Sequence, residues 1–145
     1  RYFFIENPKK IKIKNSLKLK IKIELHPDFP KKGFRKFETN DEFYIEEELE
    51  KNKVYRLMHL FNFKNNEFHS LEHDKELDAK LIHWLPIKDL VNVEIVMPDF
   101  STAKGLGEKD LKKVKVNEVV QFHRKFFARL DKKEKNKLVF YFAHR

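Results

Sequence analysis

Alternation of apolar and charged residues is the feature that most limits what this chain can fold into. The run from Leu17 to Leu25, Leu-Lys-Leu-Lys-Ile-Lys-Ile-Glu-Leu, alternates without a break, and residues 11–14 repeat the pattern. Successive side chains of a strand point to opposite faces, so the alternation predicts strands with one buried and one solvated face. Asn15 and Ser16 separate the two runs, and we expect them to form the turn of an antiparallel hairpin.

The same alternation places three lysines on one face of the second strand: Lys18, Lys20 and Lys22. A basic strand face is most often solvated, and lysine also protects sheet edges from unwanted pairing. These lysines are therefore candidates for phosphate contacts, with a purely solvated face as the alternative.

Further β-rich runs follow along the chain, separated by Pro, Gly, Asn and Asp. The predicted strands are 34–39, 41–45, 54–58, 60–63, 80–85, 91–97, 118–124, 126–130 and 138–143. Two helical segments are predicted, a short acidic helix over residues 46–51 and one or two turns over residues 108–114. About ten short strands with turn signals about every 8–12 residues indicate β-barrels rather than a βαβ sheet. We predict an all-β fold with minor helices, organised as two small β-barrels packed together, either split near residue 100 or interleaved.

Charge is distributed unevenly over the 145 residues, whose formal net charge is +9. Residues 1–40 contain 12 Lys/Arg and 4 Asp/Glu, residues 41–101 contain 7 and 14, and residues 102–145 contain 13 and 5. Two basic ends thus flank an acidic middle segment. If the ends fold together, they form one strongly positive surface, as a polyanion binder requires. The alternative is a lysine-rich surface that only solvates the protein.

The sequence lacks the features of several classes of protein and of site. The chain has no cysteine, which excludes disulfides and thiolate metal sites and favours a reducing compartment such as the cytoplasm. No run approaches the roughly 18 apolar residues of a membrane span, and we predict no membrane association. The first residues lack the features of a signal peptide, and a start at Arg1 instead of Met suggests a piece of a longer protein.

No group of residues typical of an active site is visible. With only 3 glycines the chain has no glycine-rich phosphate loop and no Gly-x-Ser-x-Gly motif. The carboxylates at 46–48 fit a solvated helix start. His69 and His73 have the i,i+4 spacing of two metal ligands on a helix, but without a third ligand a surface or structural role is favoured. We therefore assign no catalytic residue and no metal site.

The run from Val119 to Arg129 combines a β-rich pattern with side chains suited to nucleic acid. Its polar members include Gln121, His123 and Arg124. Arginine supplies a planar fork of donors and glutamine a donor beside an acceptor, so together they can read the edge of an unpaired base. Because Gln121 and Arg124 have opposite strand parity, both face one ligand only if the strand ends or bulges between them. An amphipathic strand with a solvated charged face is the alternative.

Ten short phrases occur in the chain in an order that resembles a known family. They are Arg1-Tyr-Phe-Phe4, Asn7-Pro8, His26-Pro27, Gly33-x-Arg35, Arg56-Leu57, Ile82-His-Trp84, Met97-Pro-Asp99, Gly105-Leu-Gly-Glu108, Gln121-Phe-x-Arg124 and Phe140-Tyr-Phe-Ala-His144. The chain resembles, across nearly its whole length, the C-terminal anticodon-binding region of glutamyl-tRNA synthetases of the archaeal and eukaryotic type. That class is shared with glutaminyl-tRNA synthetases.

The resemblance implies a proximal and a distal β-barrel, of the six-stranded ribosomal-protein-like type, that grip the anticodon loop between them. It implies part of a cytoplasmic, ATP-dependent glutamate–tRNA ligase whose partners are tRNA(Glu) and its own upstream catalytic domain, with tRNA(Gln) as a further candidate. ATP with Mg²⁺ belongs to that upstream domain, because the HIGH and KMSKS signatures are absent here, and no cofactor is expected in this part. The short connection between Met97 and Gly105 favours the glutamyl branch over the glutaminyl one.

By the same resemblance, Arg35, Gln121 and Arg124 match the pocket for the central anticodon base, a uridine in both tRNAs. A uracil edge presents acceptor, donor and acceptor, which arginine and the glutamine amide complement, whereas cytosine places a donor where uracil has an acceptor. Candidates for phosphate contacts only are Lys18, Lys20, Lys22, Lys80 and Arg129.

Two rival hypotheses stay open at this point. A free-standing basic β-barrel protein, such as a ribosomal component, would bind structured RNA without preference for an anticodon. A protein-interaction module would instead use the acidic middle segment to dock a basic partner.

Overall fold

The computed structural model describes residues 1–145 and consists almost entirely of β-strands. The strands are β1 (Phe4–Glu6), β2 (Lys9–Lys12), β3 (Lys20–Glu24), β4 (Phe34–Glu38), β5 (Glu42–Ile45), β6 (Val54–Leu57), β7 (Phe61–Lys64), β8 (Glu67–Ser70), β9 (Lys80–Ile82), β10 (Leu85–Pro86), β11 (Val91–Val96), β12 (Thr102–Gly107), β13 (Val119–Phe122), β14 (Phe126–Glu134) and β15 (Lys137–His144). Short 3-10 turns cover Pro30–Lys32, Lys75–Leu77 and Lys109–Lys113. The predicted all-β fold is confirmed, and the chain contains no helix with the length and apolarity needed to traverse a bilayer.

The first strand and the last part of the chain form a closed six-stranded barrel, here called the C-terminal barrel (β1 and β11–β15). Its strands are hydrogen-bonded in the order β1-β12-β11-β15-β14-β13. Tyr2 closes the ring, because its N–H donates to the Gln121 carbonyl at 2.9 Å and its carbonyl accepts from the His123 N–H at 2.9 Å. Gly105 permits the close β1–β12 contact, since a Cβ at that position would collide with the carbonyl oxygen of Ile5.

Strands β2–β10 form an N-terminal unit, in which three small sheets surround a second core. The sheets have the orders β10-β5-β2, β3-β4 and β8-β7-β6-β9. Trp84 is fully buried in this core, where its ring packs against Phe37 and Phe43. Its Nε1–H donates to the Met58 carbonyl at 2.8 Å, so the polar atom of the indole is satisfied inside the core.

Residues 3–5 connect the two cores because their side chains alternate between them. Phe3 and Ile5 are buried in the core of the N-terminal unit, whereas Phe4 is buried in that of the C-terminal barrel. Successive side chains of a strand point to opposite faces, so one short strand packs into both cores. The two units therefore meet along a packed interface that includes the beginning of the chain. The predicted boundary near residue 100 stays a prediction.

Strand β3 presents its lysines to solvent as predicted, but its pairing partner differs from the prediction. β3 pairs with β4 and β2 pairs with β5, so the predicted hairpin with a turn at Asn15 and Ser16 is wrong. The loop that contains Pro27, Pro30 and Gly33 joins β3 to β4, whose apolar residues alternate in the same way. Alternation indicates a strand and its buried face, but it does not identify the neighbouring strand.

Residues 46–51 do not form the predicted acidic helix. Their carboxylates bind groups that are distant in sequence: Glu46 Oε1 accepts from the Glu6 N–H at 2.7 Å, and Glu48 pairs with Lys9. These contacts favour an extended course, and six residues are too few to nucleate a helix unaided. The helical turn predicted over residues 108–114 is confirmed by the 3-10 turn Lys109–Lys113.

Candidate nucleic-acid interface

The turn between β13 and β14 carries two of the residues predicted to read a base. β13 ends at Phe122, and Arg124 has a positive φ of 62°, so the chain leaves the strand between Gln121 and Arg124. The condition that their opposite strand parity sets for facing one ligand, an end of the strand between them, is therefore met. The Arg124 side chain is exposed, and one Nη1–H donates to the Leu81 carbonyl of the N-terminal unit at 3.0 Å. Arg124 thus spans the boundary between the two units.

Arg1 is a site residue that the sequence did not indicate. Its Nε–H donates to Gln121 Oε1 at 3.0 Å, and its backbone nitrogen donates to the Leu25 carbonyl at 2.6 Å. The amide NH₂ of Gln121 and the two terminal nitrogens of Arg1 have no acceptor within the protein. Both side chains therefore offer free donors. The Arg1-Tyr-Phe-Phe4 phrase pointed to this end of the chain, but not to a contact with Gln121.

Arg35, the third residue predicted for the pocket, is buried beneath this contact. It is 2% exposed, its Nε–H donates to Glu108 Oε1 at 2.6 Å, and its Nη1–H donates to the Glu24 carbonyl at 2.6 Å. Glu108 is itself 1% exposed, and its Oε2 accepts from the Phe3 N–H at 2.7 Å. The Arg35 guanidinium is thus engaged by protein acceptors through Nε and Nη1 and is almost wholly buried.

Three histidines lie near the same place. The rings of His83 and His123 pack edge to face with centroids 5.5 Å apart, and both contact Phe3. Burial and the nearby Arg124 guanidinium lower the pKa of His83 to about 4, and burial and the neighbouring His83 lower the pKa of His123 to about 4. Burial also lowers the pKa of His59. The histidines are neutral at physiological pH, so the positive charge here comes from the arginines.

The residues that reach the surface between the two units are here called the junction site: Arg1, His59, Gln121, His123 and Arg124. Neither arginine of this group forms a salt bridge, whereas the neighbouring Lys125 pairs with Glu46 at 2.9 Å. Unpaired guanidinium groups beside neutral donors and acceptors suit the edge of an unpaired base or a phosphate group. The junction site therefore has the chemistry of a nucleic-acid contact.

The residues predicted to contact phosphate differ in whether their charged groups are already bound to other groups of the protein. Lys18, Lys22 and Lys80 are exposed and form no salt bridge. Lys20 faces a glutamate of β4 at 3.7 Å, and Arg129 donates to an asparagine oxygen at 3.0 Å and faces an aspartate at 3.8 Å. Their contacts with phosphate stay a prediction, with the first three better placed to make them.

His69 and His73 do not share a helix. His69 lies on β8, with its Nδ1 2.7 Å from the Ser70 hydroxyl, and His73 follows the end of that strand. Nowhere in the structure do three or more His, Asp or Glu side chains come together to hold a metal ion.

Comparison with known proteins assigns the chain to a family. A family model described as "tRNA synthetases class I (E and Q), anti-codon binding domain" matches residues 1–82, more than half of the chain. The chain belongs to this family. It is 40% identical over 159 residues to the glutamate–tRNA ligase of Methanocaldococcus jannaschii and 42% identical over 153 residues to that of Methanobrevibacter smithii. Each alignment covers 100% of the chain but only 28% of the relative's length.

Within this anticodon-binding family, the junction site draws on both parts of the chain. The family match ends at Ile82, the last residue of β9, so Arg1 and Arg35 lie inside it. Gln121 and Arg124 lie beyond it, in the part that only the ligase relatives cover. The resemblance noted from short phrases is thus confirmed at the level of the family.

Proposed function

We propose that this chain binds the anticodon loop of tRNA(Glu) as the C-terminal part of a glutamate–tRNA ligase. The observation that supports the proposal is the junction site, where Gln121 binds Arg1 and Arg124, three residues further on, binds the N-terminal unit, with donors of all three side chains left free. Membership in an anticodon-binding family supports the class of RNA, and the glutamate–tRNA ligase relatives support the choice of tRNA(Glu). tRNA(Gln) is a second candidate, because both tRNAs carry the same central base.

The chemistry of the junction site favours uracil as the base that is read. Arg1 and Arg124 would donate to its two carbonyl oxygens, and the Gln121 amide oxygen has a second lone pair for the N3–H. Cytosine presents a donor where uracil has an acceptor, which leaves a guanidinium facing an N–H. A hydrogen bond to a charged group is worth about 1.5–3 kcal/mol, or roughly tenfold to a hundredfold in binding.

In this proposal the chain itself carries no chemistry of glutamate transfer. Attachment of glutamate to tRNA(Glu) takes place in an upstream catalytic domain, which binds ATP and Mg²⁺, in the cytoplasm. The anticodon contact places the acceptor end of the tRNA in that distant site, so anticodon identity is converted into a rate of aminoacylation.

The two rival functions predict different behaviour. A general RNA-binding barrel would bind stem-loops irrespective of the central anticodon base. A protein-docking module would use the acidic middle segment, but Glu46 and Glu48 of that segment already pair with Lys125 and Lys9. These internal ion pairs reduce the negative charge that is free for a partner and favour the RNA-binding function.

The test is binding of two anticodon stem-loops of tRNA(Glu) that differ only in uridine or cytidine at the central position. The full-length protein containing this chain should prefer the uridine form by roughly tenfold or more. Equal affinity for the two RNAs would contradict the proposal and favour a general RNA-binding function.

A further inference from the structure

A buried ion pair links both units to the first residues of the chain. Arg35 belongs to β4 of the N-terminal unit, and Glu108 directly follows β12 of the C-terminal barrel. Their side chains are only 2% exposed, and Nε and Oε1 are 2.6 Å apart. The Arg35 guanidinium also lies 5.9 Å from the centre of the Tyr2 ring and 5.3 Å from that of Phe3. Each unit therefore supplies one partner of an ion pair that contacts residues 2 and 3.

A continuous set of hydrogen bonds leads from this pair to the junction site. Glu108 holds Arg35 with one oxygen and the Phe3 N–H with the other, at 2.7 Å. One residue earlier, Tyr2 is bonded through its backbone to both Gln121 and His123 at 2.9 Å. One residue earlier again, the Arg1 Nε–H reaches Gln121 Oε1. The position of the Arg1 side chain is thus set by a segment that Glu108 and Arg35 hold in place.

We propose that Arg35 is a positioning residue, which acts through Glu108 and residues 1–3 to align Arg1 with Gln121 for reading the central anticodon base. The inference rests on the proposed function and assigns to Arg35 an indirect role in place of the direct base contact expected from the sequence. Its buried guanidinium, engaged by Glu108 and the Glu24 carbonyl, favours the indirect role.

The ion pair is suited to alignment because its bonds are directional. A buried pair of opposite charges contributes little net stability compared with well-packed apolar residues, although removal of one partner alone is strongly destabilising. A hydrophobic pair would fill the same volume without fixing the Phe3 N–H or the angle between the two units. Positioning and bulk stability can therefore be separated by experiment.

The experiment compares five variants of the full-length protein: Arg35→Met, Glu108→Gln, Arg35→Met with Glu108→Leu, Arg1→Ala, and Arg1→Ala combined with Arg35→Met. Thermal unfolding is recorded first, and binding of the uridine and cytidine stem-loops is then measured at a temperature where every variant is folded. The readout is the ratio of the two Kd values, which a loss of stability alone does not change.

The double Met/Leu variant should regain stability relative to Arg35→Met, while its uridine preference should still fall about tenfold. Glu108→Gln leaves Arg35 in place but removes the charge that pairs with it. This variant should lose uridine preference to a similar degree. In the Arg1→Ala background, Arg35→Met should cause no further loss, because both act on the same contact.

Three results would overturn the inference. An unchanged preference in the folded double variant would show that the pair does not align the site. Preference retained by Glu108→Gln but abolished by Arg35→Met would indicate a direct contact between Arg35 and the base. Absence of any preference in the unmodified protein would overturn the proposed function and this inference with it, which distinguishes it from the other two results.

Discussion

Arg1 and Gln121 are 120 positions apart in the chain, and the Arg1 Nε–H donates to Gln121 Oε1 at 3.0 Å. The contact exists because Tyr2 completes the ring of the C-terminal barrel beside Gln121. Closure of the barrel and assembly of the junction site are therefore one structural event. Changes that loosen the closure should weaken RNA binding even when they lie far from the RNA.

Arg124→Ala should weaken binding of the uridine stem-loop by roughly tenfold to a hundredfold, because the variant cannot form one charge-assisted hydrogen bond to the base. Lys135→Ala is a matched control, since it removes one exposed positive charge at the other end of β14. A filter-binding titration of both variants checks this, and equal losses of affinity in the two would reduce the role of Arg124 to general electrostatics.

Stability should fall as the pH is lowered from 6.5 to 4, because of His83 and His123. The pKa of each histidine is about 4 in the folded chain, against an ordinary value of 6.5. Between these values the unfolded chain binds more protons than the folded chain, so acid favours unfolding, and the effect is absent above pH 6.5. Urea midpoints measured across this range should show a smaller change for His83→Phe than for the unmodified chain. The exposed His69→Gln is the control, and an identical pH dependence in His83→Phe would contradict the assignment.

The sequence indicated the strands whose alternation is strong and missed β8 and β12, whose composition is weak, as well as β1, whose three residues are too few to show a pattern. Residues 91–97 and 138–143 were predicted nearly as they occur in β11 and β15. β12 was missed because it contains Gly105 and Gly107, which have no side chain to show a pattern. β8 was missed because its polar residues are typical of a loop.

The candidate site was predicted only in part, because only some of its contacts are local in sequence. Gln121 and Arg124 are close in sequence, and their opposite strand parity alone showed that the strand must end or bulge between them if both face one ligand. The proximity of Arg1 depends on barrel closure, and the burial of Arg35 depends on Glu108 of the other unit. Such contacts are set by the pairing of distant strands, which no local pattern encodes. The roles of these residues in binding stay predictions.

Gly105→Ala should destabilise the fold by about 1–3 kcal/mol, because the added methyl group meets the Ile5 carbonyl oxygen across the β1–β12 pair. Lys104→Ala on the same strand is exposed and should change the free energy of unfolding by less than about 0.5 kcal/mol. Thermal or denaturant unfolding checks both. Equal stability of the two variants would contradict the close packing of β1 on β12.

Binding of the stem-loop should weaken steeply with salt, because phosphate neutralisation by lysines releases counterions. Lys22→Ala should reduce the slope of log Kd against log salt by about 1, since one phosphate is then no longer neutralised. The uridine preference should stay unchanged, because this exposed lysine lies outside the junction site. Lys20→Ala should change the salt slope less, because the Lys20 ammonium already faces a glutamate. Indistinguishable salt slopes for Lys22→Ala and the unmodified chain would show that Lys22 does not bind phosphate.

We propose that Arg1 and Gln121, held together by closure of the barrel, read the middle base of the anticodon. The most direct measurement is the ratio of Kd values for the cytidine and uridine stem-loops with the unmodified protein and with Gln121→Ala. We expect a ratio of roughly ten or more for the unmodified protein and a ratio close to one for the variant, while the fold remains intact by circular dichroism. A ratio unchanged in folded Gln121→Ala would contradict this proposal.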